Sequence, residues 1–117
     1  MSTFNDTSYG THQANVALEP FRLTLLNSSG KLAYTTAGSA WTGVTADRAV
    51  SADDQVKIKY RSGTGTFKVT VDGAVTRGGA LYTAANGKAS ATVSGSIIGY
   101  CLQTATADGD EVEMLAV

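Results

Sequence analysis

Few side chains in this chain are of the kinds that do chemistry, and their spacing argues against most of it. His12 is the single histidine. It falls in a polar, aperiodic N-terminal stretch, and a general base needs a further group to hold its imidazole in one orientation, so no serine or cysteine triad is expected. Cys101 is the single cysteine, which excludes an internal disulfide and a multi-cysteine metal site. Between Tyr100 and Leu102 it reads as a buried, inert thiol. The carboxylates gather as Asp53-Asp54 and Asp108-Gly109-Asp110. Paired carboxylates serve glycoside hydrolysis or, with a fixed alternation of oxygen ligands, calcium. These lack that alternation and precede strands, where Asp-rich turns are ordinary. Gly63-Thr64-Gly65 has the composition of a phosphate cradle, but a cradle needs a helix after it and a strand pattern follows. The chain is therefore read as not an enzyme, with no catalytic residue, no metal and no cofactor.

Charge and apolar content bound the partners. With 9 basic and 10 acidic residues the net charge is −1. Nucleic-acid binders ordinarily carry a basic patch, so no nucleic acid is expected. Lys57, Lys59 and Arg61 alternate along one stretch and read as the solvated face of a strand. No run approaches the roughly 18 apolar residues that span a bilayer, and the N-terminus lacks the basic and apolar regions of a signal peptide. No membrane partner is expected, and the glycosylation sequon Asn27-Ser28-Ser29 stands without any sign of secretion. Tyr34, Trp41, Tyr60, Phe67, Tyr82 and Tyr100 suit a sugar-stacking surface, which keeps a carbohydrate-binding module as an alternative. Most of them lie beside β-branched residues, where packing in a core or subunit interface is the default.

The elements that position these residues come twice. Residues 43–58 align without a gap on residues 99–114, an offset of 56, and Gly30-Lys31 matches Gly87-Lys88 at an offset of 57. Two units are too few for a solenoid, and 117 residues have room for one core. The fold class expected is mainly all-β: a small barrel or sandwich with an internal two-fold repeat and short connecting turns. Thirteen glycines and one proline favour that reading. Strands are predicted at 21–26 and 31–35 about a turn at 27–30, and again at 41–46. Val56, Ile58 and Tyr60 alternate with Lys57, Lys59 and Arg61; after 62–65, Phe67, Val69 and Val71 alternate on the way back, which predicts a hairpin. The equivalent strands 55–60 and 111–115 are expected to be neighbours, with Lys57 and Lys59 facing Glu111 and Glu113. Ala-rich 45–53 and 102–108 are too short for stable helices and are read as loops or single turns.

Residues 1–19 differ from the remainder. They are polar and aperiodic, with Phe4, Tyr9 and Leu18 as spaced apolar anchors, and such a stretch offsets little of its own ordering entropy. A flexible N-terminal arm over 1–19, read either as a frayed terminus or as a segment that orders on a partner, and a β-rich domain over 20–117 are expected, with Pro20, which has no N–H to donate, as the boundary.

Three segments, 23–33, 43–49 and 60–68, in their order and spacing resemble the head decoration protein of lambda-type tailed bacteriophages. The likeness covers about residues 1–72. The stretch from Gly78 to Gly99 is closer to a related group of small phage capsid-decorating proteins, in which the Gly-Lys turn and the terminal acidic-Val strand recur. The resemblance implies a structural protein of the virion, made in the host bacterial cytoplasm. It implies a homotrimer at three-fold positions on the outer surface of the expanded head, where it stabilises the lattice of the major capsid protein. It also makes the N-terminal arm a capsid-binding one, with Phe4, Tyr9, Val16, Leu18 and Pro20 as the expected contacts. The alternative is a carbohydrate-binding or tail-spike-associated β-module.

Overall fold

The computed structural model describes residues 8–117, and the fold is all-β. Strands β1 (Tyr9–Ala14), β2 (Leu23–Leu26), β3 (Lys31–Tyr34), β4 (Gly43–Thr45) and β5 (Gln55–Tyr60) close into a barrel in the order β1-β3-β2-β4-β5. Strands β6 (Phe67–Thr70), β7 (Ala80–Thr83), β8 (Ala89–Ser90), β9 (Gly99–Cys101) and β10 (Glu111–Ala116) form a second sheet in the order β6-β10-β9-β7-β8. It curls into a half-barrel, and the parallel bridge Val71↔Ala89 ties its two edges together.

The second module repeats the first pair for pair. Gln13↔Gln55 becomes Thr70↔Glu111, Leu26↔Leu32 becomes Thr83↔Ala89, Leu23↔Val44 becomes Ala80↔Tyr100, and Thr45↔Ile58 becomes Cys101↔Met114. The parallel pair Ala14↔Leu32 returns as Val71↔Ala89, and the bridge Leu18↔Ala49 as Val75↔Ala105. The offset changes from 57 to 56 between 35–42 and 92–98, where the second copy is one residue shorter. The match reaches single backbone conformations: Phe21 and Asp53 hold the left-handed φ that Gly78 and Gly109 hold in the second module. Glycine takes that conformation without the Cβ penalty, and asparagine or aspartate tolerates it.

The internal repeat thus extends to Tyr9, and this corrects the expected arm over residues 9–19; residues 1–7 lie outside the described residues. Tyr9–Ala14 is a wall of the first barrel, paired to β5 over five residues and to β3. It lacks a visible period because its inward positions are Gly10, His12 and Ala14, of which only the last is an ordinary core residue. The predicted hairpin is also corrected: β5 pairs with β1 and β4, while β6 pairs with β10. The turn after β5 crosses from one module to the next, and alternation along two strands does not reveal that each has another partner. For the same reason 55–60 and 111–115 are not neighbours. Equivalent strands occupy equivalent places in separate sheets, so Lys57 lies opposite Thr11 and Glu113 opposite Lys68.

Two core clusters replace the single one expected. Ala14, Leu18, Leu32, Ala49, Val56 and Ile58 fill the first barrel, and their equivalents Val71, Val75, Ala89, Ala105, Val112 and Met114 lie in the second. The second cluster also holds Phe67, Val69, Leu81 and Cys101, where the first module has Gly10, His12, Thr24 and Thr45. It takes in Leu23, Trp41 and Val44 as well, so the second core continues onto the outside of the first barrel. A chain of this length supports two small cores because they share that junction.

Candidate functional site

Built from the residues upward, the chemistry-bearing side chains are structural within the two modules. His12 points inward from β1 with Nε2 2.8 Å from the Tyr60 hydroxyl and the rings edge to face, 5.8 Å apart. Gly10 makes room for this pair, since a Cβ there would lie on the Tyr60 hydroxyl. The His12–Tyr60 pair fills the volume that Phe67 and Val69 fill in the second module. Thr24 Oγ1 donates to Gly43 O at 3.0 Å and Thr45 Oγ1 to Glu19 O at 2.7 Å, which satisfies both buried hydroxyls. Cys101 is buried, and its thiol donates to Gln103 O. Asp54 and Asp110 accept backbone N–H groups of their own turns, from Ser51 and from Ala107, and Asp53 and Asp108 pair with Lys31 and Lys88. Asn27 Oδ1 accepts from the N–H of Ser29 and of Lys31, closing the turn before β3. Among the described residues no group of three or more His, Cys, Asp or Glu side chains is placed to hold a metal ion.

The junction between the modules is a seam of cations on aromatic rings. Trp41 meets Phe67 edge to face at 5.5 Å, Arg61 lies 5.9 Å from the Trp41 ring, and Lys68 lies 4.7 Å from Phe21. Lys59 Nζ sits 4.4 Å from the Phe67 ring and donates to Thr66 O at 2.6 Å. Burial there holds its ammonium below the usual lysine range. Clefts of about 200 Å³ and about 370 Å³ flank the seam: Phe21, Lys59, Phe67 and Lys68 line the first, and Trp41, Arg61, Ile97 and Val117 the second. Neither brings a nucleophile to a base or two carboxylates to one point, and what they offer is apolar and cationic surface for contact. A glycan platform needs coplanar exposed rings. Trp41 and Phe67 are buried at 80° to one another, Tyr34 lies beneath Arg22, Tyr60 is turned to His12, and Tyr82 is half-buried, so of the six rings Tyr100 alone is exposed.

The expected contact residues separate on inspection. Phe4 lies outside the described residues. Leu18 is 1% exposed and bridges Ala49, so it is an anchor of its own barrel and is closed to a partner. Tyr9 is exposed at the start of β1, with Lys57 Nζ 4.9 Å from its ring. Val16 is exposed and Pro20 half-buried in the segment that leads to β2. Sequence reasoning missed Val50, which is 78% exposed and follows Ala49, the bridge partner of Leu18, so that the antiparallel register brings it to the same end of the bridge as Val16. The signal was available once the repeat is aligned in full: Val16 and Val50 stand where the second module has Gly73 and Thr106.

Comparison with known proteins agrees with this architecture. The chain is similar to the head fiber gp8.5 N base of bacteriophage phi29, with a TM-score of 0.77 at 16% identity over 93% of this chain and 92% of that one. At that identity the likeness speaks for the fold. No match was found among curated proteins. The family of phage cement proteins matches residues 9–116, from the first strand of the first barrel to the last strand of the second module. The resemblance to lambda-type decoration proteins is thereby corrected to a broader phage capsid-associated group, and the chain belongs to the phage cement protein family.

Proposed function

We propose that this phage capsid-associated structural protein is a cement of the outer head surface. It binds the expanded head as a homotrimer at three-fold positions and clamps neighbouring subunits of the major capsid protein. The observation that carries the reading is the cement-family match across both modules, and the shared fold of a phage head fiber base supports it. Tyr9, Val16 and Pro20, joined by Val50, are the contact residues that this chain leaves accessible. Cementing is then mass action: a ligand that binds only the expanded lattice stabilises it by RT ln(1 + [L]/Kd), about 2.7 kcal/mol per site at a hundredfold excess over Kd. Three copies joined on one base add avidity without new contacts.

The test is co-sedimentation of the purified protein with expanded and with unexpanded heads of the phage that encodes it. Saturable binding to expanded heads alone is expected, weakened at least tenfold by combining Val16→Asp with Val50→Asp. Equal binding to both head forms contradicts the cement mechanism, and unchanged binding of the double variant moves the contact elsewhere.

A further inference from the structure

The repeat relates a covered surface to an uncovered one. Across the outside of the first barrel, Leu23, Val44 and Lys59 lie side by side on β2, β4 and β5. Leu23 is 0% and Val44 4% exposed, because both join the core of the second module. The mouth of that module, at Phe67 and Thr83, covers the row: Lys59 reaches over it to Phe67 and Thr66 O, and Thr83 Oγ1 donates to Ser39 O at 2.9 Å.

The same row recurs on the second module as Ala80, Tyr100 and Leu115, side by side on β7, β9 and β10. Among the described residues nothing covers it, and Tyr100 is 40% and Leu115 49% exposed. Exposed Val117, two residues beyond Leu115, follows on the same alternation. A solvated strand face carries polar residues, as Glu111 and Glu113 show on the same β10. A contiguous apolar patch on a sheet face marks a contact surface instead. The other side of the intrachain junction also has a counterpart. The equivalent of Thr83 at the mouth of the first barrel is Leu26, which is exposed.

We propose that a second copy of this chain docks on the Ala80–Tyr100–Leu115 face. The mouth of its first barrel, at Leu26, takes the place that the second module takes on the first barrel within one chain. In the new contact Leu115 stands for Lys59 and Leu26 for Thr83, so an ammonium and a hydroxyl of the intrachain junction give way to leucines; Tyr100 stands for Val44, and Ala80 and Gly10 stand for Leu23 and Phe67, which leaves smaller side chains at those two positions. The contact is head-to-tail, so each subunit offers one face and one mouth, and repetition closes a ring or grows a filament. The inference rests on the oligomeric part of the proposed function and names the surfaces that would build the ring.

The test is size exclusion with light scattering on the full chain and on Leu115→Asp, Tyr100→Asp and Leu26→Asp, with Val93→Asp, at an exposed position in neither row, as a control. Circular dichroism checks folding, and Leu115→Gln serves as a milder variant should an aspartate disrupt the sheet. The wild type and Val93→Asp are expected to be oligomers. The three junction variants should be folded monomers at the same concentration, and Leu115→Gln should associate at least tenfold more weakly. Mixing Leu115→Asp with Leu26→Asp should restore a dimer, since the pair retains one intact face and one intact mouth. A monomeric wild type overturns both this inference and the trimer reading. An oligomeric wild type whose junction variants stay oligomeric overturns this inference alone, as does loss of head binding with the oligomer intact, which would assign the face to a capsid subunit.

Discussion

Gly43 and Gly99 head the two strands of the aligned repeat, and each is there because no side chain fits. A Cβ on Gly43 would lie 2.4 Å from Lys59 O and 3.2 Å from Ile58 Cδ1; on Gly99 it would lie 2.5 Å from Leu115 O and 2.7 Å from Met114 Cγ. Lys59 and Leu115 are themselves equivalent, so β4 crosses β5 as closely as β9 crosses β10. Carbon and oxygen ordinarily stay about 3.3 Å or more apart, so alanine must push the paired strands apart by roughly 0.8 Å. Overpacking of this kind costs about 1–3 kcal/mol, and the stiffer unfolded chain returns about 0.4–1 kcal/mol. Gly43→Ala and Gly99→Ala should each lower stability by about 1–2 kcal/mol, or about 4–8 °C in Tm for a domain of this size. Gly73→Ala is the control, because nothing lies within 4 Å of its Cβ position and its φ is not left-handed; it should leave stability unchanged or raise it by at most about 1 kcal/mol. Urea unfolding followed by circular dichroism gives all three values. If Gly43→Ala and Gly99→Ala prove as benign as Gly73→Ala, the close strand crossing is wrong.

Lys59 is charged in a site that disfavours its charge, so the unfolded chain binds more protons than the folded one between the lowered folded pKa and the ordinary lysine value of 10.5. Stability from this group should therefore rise with pH across that window, and Lys59→Met should abolish that part of the rise in a comparison of wild-type and variant unfolding curves. Cys101 should resist thiol reagents in the native state and react at a rate that tracks global unfolding under increasing urea; rapid native labelling would place it outside the core. Deleting residues 2–15 removes β1 and should unfold the first barrel, as thermal circular dichroism will show. Leu18→Ala should cost about 2–5 kcal/mol as a core truncation, against a small effect for Val16→Ala on the exposed neighbour.

The repeat was legible where the two copies keep the same punctuation, in the Gly-Lys turns, the paired glycines Gly43 and Gly99, and the Asp-rich turns before β5 and β10. It was illegible at β1 and β6, which share no residue types at their inward positions: Gly10, His12 and Ala14 against Phe67, Val69 and Val71. The first barrel fills that space from across the sheet with Tyr60, where the second has Ala116, so the volume is kept while the pattern is lost. This exchange made a barrel strand look like an arm and Leu18 look like a free anchor. The alternation of β5 and β6 was read correctly strand by strand, but period alone carries no information about partners. The exposed row at Tyr100 and Leu115 was hidden for a related reason. An apolar residue on a strand reads as core until its equivalent in the other copy shows which face it occupies.

The claim that this protein cements the outside of a phage head is tested most directly by imaging expanded heads with and without the purified chain by electron cryomicroscopy. A three-copy density on the outer surface at three-fold positions, into which the two-module fold fits with Val16 and Val50 against the major capsid protein, is the predicted result. Heads that show no added density at saturating protein, or added density inside the shell, would contradict it.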